Sequence, residues 1–213
     1  MTDSLSLLCA RYPHLAVCGA DIQNAFEILR DCFASGGKLL VCGNGGSAAD
    51  AEHIVGELMK SFVLPRKLSA ESREKFIAGF GDDGARLAEQ LEGALPAISL
   101  VNQSSLISAT VNDGAPDLLF AQQVWGYGKS GDAILAISTS GNSPNIVRAL
   151  QTARVLKMKT VGLTGQNGGA MKALCDACIC CPSSSTPEIQ EMHLPIYHTL
   201  CIMLENEFFP NAN

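Results

Sequence analysis

Charged residues, aromatic residues and long apolar runs are all scarce in this sequence. Charged residues make up 17% of the 213 positions and aromatic residues 6%, and 15 basic residues face 21 acidic ones, for a net charge of −6. A general nucleic-acid-binding protein is therefore not expected, because such proteins carry basic surfaces. No apolar run reaches the ~18–20 residues that cross a bilayer. Met1–Ala10 also lacks the basic segment that opens a secretory signal peptide. We expect no membrane partner and a cytoplasmic location.

Apolar residues, glycine and cysteine are abundant instead. Hydrophobic residues make up 47% of the chain, which excludes a disordered protein and, with so little charge, favours an oligomer that buries surface between its copies. The nine cysteines show no regular spacing, as expected for reduced thiols. Cys175, Cys178, Cys180 and Cys181 cluster, but no second spaced pair follows them. We therefore interpret them as small apolar residues of a buried strand and not as a zinc site.

Short apolar runs alternate with helical patterns along the chain. The predicted strands are Lys38–Cys42, Ala97–Val101, Ala133–Ser138, Thr160–Thr164 and Ala177–Cys181. The predicted helices are Asp21–Ser35, Ser47–Lys60, Pro144–Lys157 and Pro187–Glu207. Strands that are apolar on both sides and alternate with helices indicate a parallel sheet covered on both faces. We predict an α/β fold, a three-layer αβα sandwich with a five-stranded parallel sheet, as one domain over residues 1–213.

One segment, Ser61–Leu95, interrupts this alternation and is rich in charged residues. We expect a helical insertion over residues 61–95 that holds two short helices. Ser69 would cap the first helix, and the second would cover Gly84–Leu91. The segment is interpreted either as a surface elaboration or as a lid or assembly arm near the site.

Two polar loops follow predicted strands and open predicted helices. The first is Cys42-Gly-Asn-Gly-Gly-Ser47, and the second is Ser138-Thr-Ser-Gly-Asn-Ser143, followed by Pro144. Hydroxyls and backbone N–H groups at a helix N-terminus suit a phosphate monoester held without Lys or Arg. An ordinary strand-to-helix turn is the alternative for each. In a doubly wound sheet the two loops meet if the first and third strands are neighbours, and Asn112-Asp113 would join them there.

A set of imidazole, carboxylate and amide side chains is predicted on two helices. His53 and Glu57 lie four residues apart and share one helix face, either as a simple surface pair or as ligands of one cation. Gln190, His193 and His198 lie on the C-terminal helix. Spacing alone favours Gln190 with His193, because His198 lies about 12 Å further along the axis. Such mixed ligands suit Zn²⁺, with Fe²⁺, Mn²⁺ or Ni²⁺ as alternatives.

The two loops together resemble the sugar isomerase (SIS) family, and in detail the phosphoheptose isomerases. The similarity also covers Val161-Gly-Leu-Thr-Gly165 with Gly168-Gly169, and Ile189-Gln-Glu-Met-His193, so it runs from about Asp21 to the C-terminus. It implies the flavodoxin-like SIS fold and a homotetramer. It also implies a ketose–aldose isomerase that converts sedoheptulose 7-phosphate to D-glycero-D-manno-heptose 7-phosphate through an enediol.

The resemblance assigns roles to single residues as well. Glu57 would be the base and His198 the acid, and His198 would take precedence over His193, with a bend at Pro195 bringing it into reach. The implied ligands of one Zn²⁺ or other divalent ion per subunit are His53, Glu57, Gln190 and His198. The implied substrate contacts are Asn44, Gly45, Gly46, Glu57, Asn112, Asp113, Ser138, Thr139, Ser140, Ser143 and Gln190.

The sequence departs from the phosphoheptose isomerases in two places. The insertion is longer than their usual connection, and Ser185-Thr-Pro-Glu-Ile189 replaces a more basic or Asp-Arg segment. Both departures concern the identity of the sugar more than the class of reaction.

A related protein that acts as an adaptor for the replication initiator DnaA shares the Ile-Gln-Glu-Met-His run. A non-catalytic phosphosugar-binding or adaptor protein is therefore the alternative, as is an isomerase of another phosphosugar. The presence of both His53 and Glu57 favours an enzyme.

Overall fold

Five parallel strands form the central layer of the protein. The computed structural model describes residues 3–210, and its strands are β1 (Leu39–Cys42), β2 (Ala97–Ser99), β3 (Ala133–Ser138), β4 (Lys159–Gly165) and β5 (Ala177–Cys181). Their order across the sheet is β2-β1-β3-β4-β5, with every neighbouring pair parallel. The winding direction therefore reverses between β1 and β3, which creates the switch point where such sheets bind ligands. The predicted sheet is confirmed.

Helices cover both faces of this sheet. They are α1 (Asp3–Arg11), α2 (Gly19–Ala34), α3 (Gly46–Met59), α4 (Ala70–Gln90), α5 (Ser104–Asn112), α6 (Leu119–Tyr127), α7 (Pro144–Val155) and α8 (Thr186–Phe208). Leu39 and Val41 of β1 face a core built with α1, α2, α3 and α8, whereas Leu40 and Cys42 face a second core built with α6 and α7. The three-layer sandwich is thereby confirmed. None of the helices within residues 3–210 combines the length and apolar character that a bilayer span requires.

The insertion folds as a helical hairpin. Gly81 interrupts α4 with φ 54° and ψ −125°, a left-handed region that favours glycine, and the chain folds back there. At the start of α4, the Ser69 hydroxyl accepts a hydrogen bond of 3.2 Å from the N–H of Ser72, which is the predicted cap. The two halves pack backbone to backbone, because a Cβ on Gly84 would collide with the carbonyl oxygen of Phe76. Two helices were expected here, and two are found.

A buried ion pair ties the start of the insertion to α3 and α8. Arg66 and Glu205 are fully buried side chains whose Nε and Oε1 atoms lie 2.7 Å apart. Arg66 also donates to the carbonyl oxygens of Leu58, at 2.7 Å, and Glu57, at 2.8 Å. Glu205 accepts the backbone N–H groups of residues 62–64. Burial raises the pKa of Glu205, but these N–H groups and the guanidinium outweigh it and hold the pKa below its usual value. The end of α3 is thus fixed.

Candidate functional site

The two polar loops meet at the carboxyl ends of β1 and β3, as the sequence predicts. Asn44 of the first loop and Asn145 of α7 exchange two amide hydrogen bonds of 3.0 and 2.9 Å, which lock the loops together. Asn145 is not among the predicted residues. Only the sheet order places it opposite Asn44, because the two residues are 101 positions apart in the chain.

Hydroxyl groups of the second loop are available for a ligand. The Oγ atoms of Ser138 and Ser143 lie 3.1 Å apart. Ser143 stands at the N-cap of α7, but its side chain makes no capping bond, so its hydroxyl does not serve the helix. The loop is braced by the end of β4, since the backbone N–H of Gly165 donates to the carbonyl oxygen of Thr139. A pocket of about 260 Å³ lies beside this loop. Among the described residues, those that line the pocket include no Lys or Arg: Thr139, Ser140, Asn142, Gly165, Gln166, Asn167, Ser183, Ser184 and Ile189.

Gln190 closes over the first loop at the start of α3. A Cβ added to Gly46 would lie 2.6 Å from the Nε2 atom of Gln190, so only glycine admits the amide at this distance. Gly45 precedes it with φ 55° and ψ −120°, and both glycines are exposed. The backbone N–H groups at the start of α3 and the Gln190 amide therefore share one edge of the site.

The predicted acid–base residues form a cluster further along α3. The Nε2 atom of His53 lies 3.0 Å from Oε1 of Glu57, with 43% of the His53 side chain and 18% of the Glu57 side chain exposed. The ring of His198 lies 5.0 Å from that of His53, centroid to centroid. The hydroxyl of Tyr197 lies 3.0 Å from Nδ1 of His53. Tyr197 is a site residue that sequence reasoning missed, because an aromatic residue on an apolar helix is usually part of the core.

Within the cluster, His198 has unused bonding capacity. Its Nε2 atom is buried and makes no hydrogen bond within the described structure. Burial and the neighbouring His53 lower the pKa of His198, while Glu57 acts in the opposite direction. The ring is therefore neutral near pH 7 and keeps one N–H donor. His198 also faces a groove of about 460 Å³ between α1 and α8.

The pairing of α3 with α8 explains which residues meet. Gly46 contacts Gln190, and seven residues later along both helices His53 contacts Tyr197. The two helices therefore run in the same direction, and Gln190 and His198 reach different levels of α3. α8 continues as one helix through Pro195, and the bend there stays a prediction. No hydrogen bond in residues 3–210 joins Gln190 to His53 or Glu57.

The remaining predicted residues lie apart from this cluster. His193 is fully buried, and burial lowers its pKa to about 4 against the opposing effect of the Thr164 backbone. It packs in the core and does not join His53. Asn112 and Asp113 are exposed at the end of α5, where the Asn112 amide donates to the Asp113 carboxylate at 3.3 Å. In the described chain neither of them bonds to either loop.

The cysteines are free thiols in regions of low polarity. All nine are unpaired, and the sulfurs of Cys178 and Cys180 lie 3.9 Å apart on the same side of β5. Burial raises the pKa of Cys42 and of Cys201 to about 12, so neither is a thiolate at neutral pH. These two side chains act as small apolar residues of the two cores.

One protein family matches most of this chain. The SIS domain model matches residues 18–73 and 80–165. The phosphoheptose isomerase of a Geobacter species is 38% identical over 192 residues, which cover 90% of this chain and 86% of that protein. The phosphoheptose isomerase of Rhodospirillum rubrum is 35% identical over 210 residues, covering 97% and 98%.

A solved structure agrees with these sequence matches. The phosphoheptose isomerase from Neisseria gonorrhoeae superimposes with a TM-score of 0.74 at 30% identity, covering 92% of this chain and 91% of that one. Both curated relatives exceed 30% identity over most of the chain. This chain therefore belongs to the SIS domain family and, within it, to the phosphoheptose isomerases.

Proposed function

We propose that the protein isomerises sedoheptulose 7-phosphate to D-glycero-D-manno-heptose 7-phosphate. The observation that carries the proposal is the arrangement of the loops and the cluster. Asn44 ties the first loop to Asn145 beside the hydroxyl-lined second loop, and the His53–Glu57–His198 cluster lies further along the helix α3 that the first loop opens. Moving a proton between two adjacent carbons needs a base at carbon and an acid at oxygen, and a carboxylate beside an imidazole supplies both. An adaptor protein would need no such pair.

The phosphate end of the substrate would lie at the two loops. Ser138, Ser140 and Ser143 present hydroxyls there, and the start of α3 presents backbone N–H groups with the positive end of its dipole. A phosphate monoester can be held by such groups without a cationic side chain. This accounts for phosphate recognition by a protein with a net charge of −6.

The sugar end would extend along α3 towards the cluster. We assign Glu57 as the base that takes the proton from carbon, because it is a carboxylic acid side chain that can ionise and is held in place by a hydrogen bond with His53. We assign His198 as the acid, because its ring is neutral and partly buried and can deliver an N–H to a developing enediolate oxygen. Gln190 would hold a sugar hydroxyl at the level of Gly46.

The donor set also fits a divalent cation. Within residues 3–210 no three His, Cys, Asp or Glu side chains form a ready ligand group. The unpartnered, buried Nε2 of His198 nevertheless offers a lone pair beside His53 and Glu57. Of the four predicted ligands, His53, Glu57 and His198 lie together and would hold the ion after the His53–Glu57 bond opens, whereas Gln190 lies at the level of Gly46, seven residues earlier along α3. A bound Zn²⁺ would polarise the substrate oxygens.

The decisive experiment supplies the purified protein with sedoheptulose 7-phosphate and with ketose phosphates of five and six carbons. Aldose formation is followed by NMR. We expect turnover of the seven-carbon ketose. Turnover of a shorter ketose alone would identify another phosphosugar isomerase, and no turnover of any of them would favour the adaptor function.

Replacing Ser143 with alanine should weaken substrate binding more than it slows the reaction. A hydrogen bond to a charged group is worth about 1.5–3 kcal/mol, so KM should rise by roughly tenfold or more. The phosphate does not react, so kcat should change little. Steady-state kinetics check this, with Ser108→Ala on the exposed face of α5 as the control. A normal KM in Ser143→Ala would remove Ser143 from the phosphate site.

Metal removal should lower the activity. We expect metal analysis of the purified protein to find about one divalent ion per chain, and a chelator to reduce turnover that Zn²⁺ then restores. The His198→Gln variant should bind less metal, because it lacks the unpartnered Nε2 atom. A metal-free protein with full activity would contradict this assignment.

We further propose a cytoplasmic homotetramer. The low content of charge and the exposed apolar side chains of α4, among them Ile77 and Phe80, support an assembly that covers them. The nine free thiols are in keeping with a reducing compartment.

A further inference from the structure

Phe62, the second residue of the insertion, packs against the imidazole assigned as the acid. Its ring centroid lies 5.2 Å from that of His198, and the two rings are tilted by 56°. The rings of His53 and Tyr197 lie 5.0 and 5.1 Å from the same imidazole, and both meet it edge to face. Three rings therefore border His198, and of these three Phe62 is the one that the insertion supplies.

Hydrogen bonds do not orient His198. Between residues 3 and 210 no hydrogen bond joins its side chain to another group, and its Nε2 atom is buried. His53, by contrast, is held at Nδ1 by Tyr197 and at Nε2 by Glu57. A general acid must present its N–H to one substrate oxygen at hydrogen-bond distance. The orientation of the His198 ring must therefore come from packing.

The backbone that carries Phe62 is fixed by a buried carboxylate. Its N–H donates to Oε1 of Glu205 at 2.9 Å, and the next two backbone N–H groups donate to Oε2 at 2.9 and 3.1 Å. Glu205 in turn pairs with Arg66, and both of these side chains are fully buried. Phe62 is thus anchored at its own peptide group, so its ring is a fixed packing partner for the imidazole.

Open space beside His198 makes this contact necessary. His198 lines the groove of about 460 Å³ between α1 and α8, whereas Phe62 does not. The terminal torsion of a histidine side chain is broad and roughly two-fold. An imidazole that has no hydrogen bond and borders open space can therefore turn, unless a neighbouring ring prevents it.

We propose that Phe62 is a positioning residue that holds the His198 ring in the orientation needed to deliver its proton. The insertion thereby serves the site directly, and Glu205 contributes to catalysis through Phe62 as well as through the end of α3. This inference rests on the proposed function for its kinetic consequence. The orientation of the ring itself is measured separately.

Shortening Phe62 should slow the reaction without weakening binding. Phe62→Ala should lower kcat for the seven-carbon ketose phosphate by about 10–100-fold, because a misplacement of ~1 Å can cost that much. KM should change little, since the phosphate loops are untouched. Phe62→Leu keeps an apolar side chain of similar size and should recover most of the lost kcat. Val63→Ala, at the next residue and 60% exposed, is the control.

The orientation of His198 is read by NMR without turnover. Histidine-labelled protein should show a nuclear Overhauser effect between the ring protons of His198 and His53, whose centroids lie 5.0 Å apart. The His198→Gln variant assigns this signal. The signal should persist in Phe62→Leu and largely disappear in Phe62→Ala. Should the alanine variant not fold, Phe62→Val takes its place in both measurements, with the same expected changes.

Two results would overturn the proposal. One is an unchanged His53–His198 signal in folded Phe62→Ala, because the ring would then keep its orientation without Phe62. The other is a wild-type kcat in the same variant. If the wild type turned over no sugar phosphate, the proposed function would fail, yet the NMR measurement would still decide whether Phe62 orients His198.

Discussion

Replacing Glu57 with glutamine is expected to remove nearly all isomerase activity while the fold survives. A general base contributes about 10²–10⁴-fold to such reactions, so kcat/KM should fall by at least that range. Glutamine has the same shape, and its amide oxygen can still accept the Nε2–H of His53, so the ring stays in place. The side chain loses its basicity and its negative charge. Measuring kcat and KM with the seven-carbon ketose phosphate checks the prediction.

A matched control lies on the same helix. Glu52→Gln removes one exposed carboxylate of α3 five positions earlier, and should leave both kinetic constants near those of wild type. Because Glu57 raises the pKa of His198, the Glu57→Gln variant should also show a lower imidazole pKa by NMR. An active Glu57→Gln enzyme with an intact fold would assign the proton abstraction to another residue.

The sheet could be predicted because each strand is buried on both faces. The bounds of Ala133–Ser138 and Ala177–Cys181 are found as predicted, and the other three strands differ by two residues or fewer at each end. Glycines and prolines mark the ends of the runs, and the helices between them enforce parallel pairing. α1 and α6 are not delimited by these patterns, since their apolar faces are short.

The candidate site was only partly predictable. The two loops are visible in the sequence because glycine and serine are concentrated there, and the sheet order brings them together. Helical spacing within α8 favours His193 over His198, but the choice depends on how α8 lies against α3, and there His198 meets His53 while His193 is buried in the core. The resemblance to a family selected His198, and the seven-residue steps shared by the two helices give the physical reason. Tyr197 and Asn145 act through partners distant in sequence, so no local pattern identifies them.

Removing the buried charge of Glu205 is expected to be the most destabilising single change. Glu205→Gln would leave the Arg66 guanidinium buried without its counter-charge, and breaking such a pair costs about 3–5 kcal/mol. For a chain of this size the melting temperature should fall by roughly 10 °C. Arg66 also binds the carbonyl oxygens of Glu57 and Leu58, so the variant should lose activity below its melting temperature as α3 loosens.

The pH dependence identifies the cause of this loss. The pKa of Glu205 is lowered in the folded protein, so its contribution is complete above the pKa of an unfolded glutamate, about 4.3. The contribution disappears as the pH falls through the lower, folded value. The difference in unfolding free energy between wild type and Glu205→Gln should therefore be largest near neutral pH and shrink in acid. Glu207→Gln, on the exposed side of the same helix, should show no such difference. Denaturation curves that coincide for wild type and Glu205→Gln at pH 7 would mean that the apolar packing of α3 on α8, and not the ion pair, holds the end of α3.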